Sequence, residues 1–133
     1  KAARERIDES IEFCFELFPR LAERREQKAG SMSGGEQQML AVARTMMSVP
    51  KLLLIDEPSV GLAPILVAQM IEKIGELSES RNVTILMAEQ NFNQAIKIAD
   101  RGYIIVHGEI AFASKDAQDL ADNDMVKSYY LGA

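Results

Sequence analysis

The sequence predicts an α/β fold: a mostly parallel sheet flanked by helices. Two observations carry that expectation. The apolar runs of KLLLIDEP and RNVTILMAEQ each close on polar residues, Asp56-Glu57 and Glu89-Gln90. Between them, residues 65–79 repeat apolar side chains at helical spacing. Strand, helix, strand in that order makes a parallel pair, and ligands sit beyond the strand C-terminal ends of open α/β sheets. The two polar ends are therefore expected to face one site.

Each element has its own warrant. Residues 4–18 place Ile7, Ile11, Phe15 and Phe18 at helical spacing, with Cys14 and Leu17 beside them. This is an amphipathic helix, ended near Pro19 and packed on its own domain. RLAERREQKAG, residues 20–30, reads as a short helix or loop. A helix over 34–49 stops before Pro50, because the residue preceding proline is pushed out of the helical region. Leu52 to Ile55 is a continuous apolar run, as in a strand buried on both faces. EPSVGLAP is a turn. The helix over 65–79 buries Ile65, Met70, Ile71, Ile74 and Leu77. Asn91 is placed to cap a helix through about residue 99. Residues 103–106 and 109–113 form two strands around a His107-Gly108 hairpin turn. Ser114 caps a short helix, and a last helix covers about 124–131.

Composition narrows the class. The 133 residues suit one domain, and 47% hydrophobic with 26% charged residues marks a globular chain. No apolar run reaches the roughly 20 residues of a membrane span. The opening KAARERIDES is charged, unlike a secretory signal. Cys14 is the sole cysteine, which excludes an internal disulfide and a cysteine-built metal site. The net charge of −5 argues against nucleic acid as a partner. Residues 1–30 carry seven basic and seven acidic side chains, so the excess acid lies further on. The start at Lys1 rather than methionine is expected of an excised, incomplete or processed chain. His107, in the hairpin turn, and the methionines 32, 39, 46 and 47 are expected to be structural, as is Cys14 on the apolar side of the first helix.

Two constellations carry chemistry. Asp56 at a strand end sits where a phosphate-bound Mg²⁺ is held, and Glu57 can position or deprotonate a water. The plainer reading is a solvated turn. Ser33-x-x-Glu36 fits a capping box, complete without any ligand. Gly34 and Gly35 are the surplus. Each costs roughly 1 kcal/mol in a helix relative to alanine. Both would let an anion approach the N-terminal amides closely.

The two stretches stand about 20 residues apart, joined by a helix. At this point the sequence resembles a family: MSGGEQQMLAVARTMM followed by KLLLIDEPSVGLAP is similar to the signature motif and Walker B of ABC-type ATPase subunits. The resemblance runs from Ile7 to Gly132. EQQMLA, EPS-x-GLAP, AEQN, IADRGY and YYLG are most similar to one ATP-binding subunit of branched-chain amino acid importers. The resemblance implies a partial P-loop NTPase domain. Residues 1–49 would be the helical subdomain and signature helix. Residues 50–133 would be the Walker B core, switch loop and C-terminal elements, with a β-hairpin.

It implies roles as well. Ser33, Gly34 and Gly35 would contact the γ-phosphate of ATP on the opposite subunit, and Glu36 stands where most members carry glutamine. Asp56 would hold Mg²⁺ and Glu57 would be the general base. Ser59 to Leu62, including Gly61, would reach across the dimer. Gln90 replaces the usual switch histidine; it hydrogen-bonds but does not titrate. The implied cofactors are ATP and Mg²⁺. The implied partners are a second ATP-binding subunit and transmembrane permease subunits. The implied location is peripheral, on the cytoplasmic face of the inner membrane.

A P-loop needs Gly-Lys followed by Ser or Thr. The lysines at 1, 28, 51, 73, 97, 115 and 127 follow no glycine. The chain is thus expected to be a C-terminal portion that hydrolyses no ATP alone. Other readings are an ABC ATPase for urea or lipid, one acting on nucleic acid, or a non-catalytic truncated interaction protein.

Overall fold

The computed structural model describes residues 6–128, which divide into two compact units at Ala88/Glu89. The first unit opens with α1, Ile7–Leu17, and α2, Pro19–Glu23. Pro19 forces Phe18 out of helical geometry, to φ −126° and ψ 76°, and then starts α2. That break redirects the apolar stripe. Cys14, Leu17, Phe18 and Leu21 are buried, whereas the expected Ile7 and Ile11 are exposed. A 3₁₀ turn at Ala29–Ser31 leads to α3, Gly34–Met46. Cys14 Sγ lies 3.4 Å from the carbonyl of Ala43 and joins α1 to α3. Burial raises its thiol pKa, in keeping with a packing role. Met39 and Met46 are buried with it. α3 ends three residues earlier than expected. Val49 swings to φ 51°, and its amide donates to the Met46 carbonyl at 2.9 Å.

A βαβ unit follows: β1 at Leu52–Asp56, α4 at Pro64–Arg81 and β2 at Thr84–Ala88. The strands are parallel, Leu52 opposite Thr84 and Asp56 opposite Ala88. α4 buries Val67, Met70, Ile71, Ile74 and Leu77. Ile65, expected in that set, is exposed, and Val67 takes its place. Asn82 ends α4 in a left-handed turn, which asparagine tolerates better than most residues. Side chains of a strand alternate between faces. Leu53 is buried, but Leu52, Leu54 and Leu86 on the other face are 53%, 67% and 60% exposed. The strand expected to be buried on both faces is covered on one, since nothing among the described residues lies over the second.

The second unit holds α5 at Phe92–Ala95, β3 at Tyr103–Val106, β4 at Glu109–Ala113, α6 at Ala117–Asp122 and α7 at Asp124–Val126. β3 and β4 form an antiparallel hairpin. Its turn residues His107 and Gly108 have φ of 51° and 83°, the pair of positive values a two-residue primed turn demands. Ile104, Leu120 and Val126 form the core, with Phe92, Ile96, Val106 and Phe112 against it. Two expected caps differ. Asn91 accepts from the Gln94 and Ala95 amides through its carbonyl rather than its side chain, and α5 stops at Ala95 instead of 99. Ser114 caps no helix. Its hydroxyl accepts from the Gly102 amide at 2.7 Å and donates to the Gly102 carbonyl at 3.0 Å. Asp116 caps α6 instead, accepting from the Asp119 amide. The part of the last helix expected over 129–131 lies outside the described residues.

Candidate functional site

The start of α3 is built by side chains reaching back on themselves. Ser33 is extended, at φ −63° and ψ 159°, and its Oγ accepts from the Glu36 amide at 3.4 Å. Glu36 Oε2 accepts from both the Ser33 amide and the Ser33 hydroxyl, each at 2.9 Å. The capping box read from the sequence is thus closed on both arms. These bonds from Ser33, aided by the nearby Arg24 and Arg20, hold the Glu36 carboxyl below the ordinary glutamate pKa. The Gly34 and Gly35 amides belong to the first turn, where a helix offers no internal acceptor.

The two glycines differ in role. A Cβ on Gly34 would meet nothing within 4 Å. A Cβ on Gly35 would lie 3.1 Å from Leu66 Cδ1 and 3.7 Å from Leu62 Cδ2. Gly34 leaves the backbone open to approach from outside. Gly35 lets α3 pack against the residues that open α4. The sequence pattern offers anion access as the reason for both; packing explains the second.

Asp56 is the last residue of β1 and is exposed. Glu57 follows with φ 44°, a left-handed conformation that costs a non-glycine residue about 1–2 kcal/mol. Its amide donates to the Ala88 carbonyl at 2.9 Å, which ties the turn to the end of β2. Further turns follow, from the Val60 amide to the Glu57 carbonyl and from the Leu62 amide to the Ser59 carbonyl, both at 3.1 Å. Gly61 adopts φ 74° without the steric cost that a side chain would bring.

Gly34 and Gly61 line one shallow, open depression of about 420 Å³, together with Gln37, Gln38, Val60 and Leu62. The start of α3 and the turn after β1 thus share a surface. Asp56, Glu57 and Ser59 do not line it. Gln90 is exposed and lies in the second unit, its carbonyl accepting from the Phe92 amide.

Among the described residues, no three His, Cys, Asp or Glu side chains gather in a metal-binding group. Mg²⁺ keeps several waters and takes one or two carboxylates plus substrate phosphates, so a single carboxylate such as Asp56 at the end of β1 is compatible with it. Arg24 is the neighbour the sequence does not single out. Its Nε lies 3.0 Å from Glu36 Oε1. Arg20, Arg24 and Arg25 look alike in a polar stretch, and only the fold selects one of them.

The ABC transporter family model matches residues 4–60. The chain is similar to ATP-binding proteins of ABC transporters, and its fold is that of part of an ABC ATPase cassette. It is 56% identical over 117 residues to the high-affinity branched-chain amino acid transport ATP-binding protein BraG of Pseudomonas aeruginosa, covering 88% of this chain and 49% of BraG. It is 33% identical over 108 residues to the lipopolysaccharide export system ATP-binding protein LptB of Acidithiobacillus ferridurans, covering 81% of this chain and 44% of LptB. The ADP conformation of an ABC transporter's ATP-binding cassette superposes with a TM-score of 0.73 at 25% identity, over 94% of this chain and 51% of that one. The chain spans about half the length of the curated relatives it matches.

Proposed function

We propose that this chain is part of the ATP-hydrolysing subunit of an ABC importer for branched-chain amino acids. The 56% identity to BraG carries the reading. The lower identity to LptB, 33%, makes a lipid cargo the weaker alternative. Residues 1–49 form the helical subdomain with the signature helix, and residues 50–133 the core that follows.

Mg-ATP supplies the phosphoryl group and the charge that the protein must steady. The chain's residues bind and orient. Asp56, at the end of β1, would hold Mg²⁺, which would neutralise phosphate charge when bound. Glu57 takes a proton from the attacking water. Gln90 takes the switch position that the family resemblance gives it, as a residue that hydrogen-bonds but neither gains nor loses charge. Ser33, Gly34 and Gly35, with Glu36 as their cap, meet the γ-phosphate of ATP on a second ATP-binding subunit. Ser59 and Gly61 reach across the same interface. The shared surface of Gly34 and Gly61 supports that assignment, since one partner can engage both.

No helix among the described residues is long and apolar enough to cross a membrane. The subunit works peripherally, at the cytoplasmic face of the inner membrane, on permease subunits that span it. The net charge of −5 disfavours nucleic acid as a partner. The chain by itself is expected to turn over no ATP, because a Gly-Lys-Ser/Thr loop is not in its sequence. The deciding experiment is ATP hydrolysis by a complete subunit carrying this segment, with and without Glu57→Gln. Loss of turnover with ATP-driven dimerisation intact supports the reading. Unchanged hydrolysis refutes Glu57 as base.

A further inference from the structure

Glu36 is held from three sides. Its Oε2 takes the amide and hydroxyl hydrogens of Ser33, and its Oε1 faces the Arg24 guanidinium at 3.0 Å. An ionised carboxylate only accepts, so the Ser33 hydroxyl must be the donor in that contact. Its one proton is therefore spent inward, on Glu36. An incoming phosphate needs donors, and a hydroxyl turned this way offers it lone pairs. The carboxylate also places a negative charge beside the first turn of α3, where an anion would otherwise be welcomed. Arg24 offsets that charge on its far side.

Arg24 is itself fixed. Its Nη1 donates to Gln27 Oε1 at 3.0 Å. Gln27 Nε2 in turn donates to the Ser31 carbonyl at 3.0 Å and approaches Ser31 Oγ at 3.2 Å. Gln37 Nε2 donates to the Met32 carbonyl at 3.0 Å, securing the loop from the helix side. Side-chain contacts thus tie Arg24 to Gln27 and Gln27 to Ser31, while Gln37 holds Met32 next to Ser33. Arg24 and Glu36 are 37% and 12% exposed at their side chains, so solvent screens this pair only in part.

We infer that Arg24 is a positioning residue for Ser33: acting through Glu36, it neutralises the carboxylate and sets the hydroxyl that meets a phosphate. The inference rests on the reading of Ser33 as a phosphate contact. Without Arg24 the Glu36 carboxylate stands uncompensated beside the phosphate site and holds the Ser33 proton more strongly than it does with Arg24 in place.

The test uses a complete subunit carrying this segment and measures the Mg-ATP concentration that drives dimerisation. Arg24→Ala is expected to raise it about fivefold, the upper end for a partly exposed ion pair. Arg24→Lys should fall between Arg24→Ala and wild type. Adding Glu36→Gln to Arg24→Ala should bring the value back, because the charge that Arg24 offsets is gone. A merely structural arginine would not be rescued by removing its partner's charge. Ser33→Ala is the control for the underlying reading. If Ser33→Ala weakens dimerisation while Arg24→Ala does not, or the double variant stays as weak as Arg24→Ala, the positioning role is overturned and the phosphate contact survives. If Ser33→Ala has no effect, the phosphate contact itself is overturned and the positioning role falls with it.

Discussion

The amide of Glu57 donates to the carbonyl of Ala88 at 2.9 Å while Glu57 itself sits at φ 44°. The residue proposed as base thus occupies a strained backbone position, pinned to the end of the neighbouring strand. Strain of this kind persists where surrounding structure over-determines it. Stability and activity should therefore part at this position. Glu57→Gly is expected to raise the unfolding free energy by about 1 kcal/mol, since glycine adopts positive φ freely. In a complete subunit the same change should lower turnover by at least about a hundredfold, the loss of a general base. Paired thermal melts and hydrolysis assays check both. A less stable Glu57→Gly would show that the left-handed turn carries no strain.

Much of this site is legible locally. The capping box needs only Ser33 and Glu36 three residues apart, and both of its arms are present. The hairpin needs only a turn pair between two apolar runs, and strands at Tyr103–Val106 and Glu109–Ala113 match the expectation. What escapes the sequence depends on partners far along the chain. Ser114 looks like a cap but is bound to Gly102, twelve residues earlier. Gly35 looks like a ligand-approach residue, but its constraint comes from Leu66 on another helix. Whether β1 is covered on its second face depends on what lies over it, and its own residues carry no record of that.

The contrast between the two glycines makes a second prediction. Gly34→Ala adds a methyl to open space and gains up to about 1 kcal/mol of helix propensity. Gly35→Ala forces Leu66 to yield, which offsets that gain with an overpacking cost of about 1 kcal/mol or more. Gly34→Ala is expected to melt above Gly35→Ala. In ATP-driven dimerisation the order should differ. Gly34→Ala, the more stable, should bind its partner less well than wild type. Equal melting temperatures would mean that Leu66 relaxes without cost.

Glu36 sets a dependence on pH. Hydrogen bonds from the Ser33 amide and hydroxyl, with Arg24 and Arg20 nearby, lower its folded pKa. A group with a lowered folded pKa stabilises the protein above its unfolded value, about 4.3 for glutamate. That contribution disappears as pH falls through the folded value. Acid unfolding of wild type should therefore steepen below about pH 4.3. Glu36→Gln should flatten that limb while leaving a neutral cap in place. Denaturant titrations across this pH range measure it. Parallel acid limbs for the two proteins would show that Glu36 is not coupled to folding.

The open face of the β1–β2 pair makes the last prediction. Leu54 and Leu86 are register partners, hence on the same face, and are 67% and 60% exposed, with Leu52 next to them at 53%. Contiguous exposed apolar surface of this kind drives association. The 133-residue chain is therefore expected to self-associate, and light scattering at rising concentration should show mass above that of a monomer. Replacing both leucines with lysine would set like charges opposite each other and weaken the strand pair. Leu54→Lys with Leu86→Glu avoids this, because opposite charges across a pair are favourable. That double variant should shift the chain toward monomer with its circular dichroism spectrum retained. A wild-type chain that stays monomeric throughout would show that this face is not adhesive.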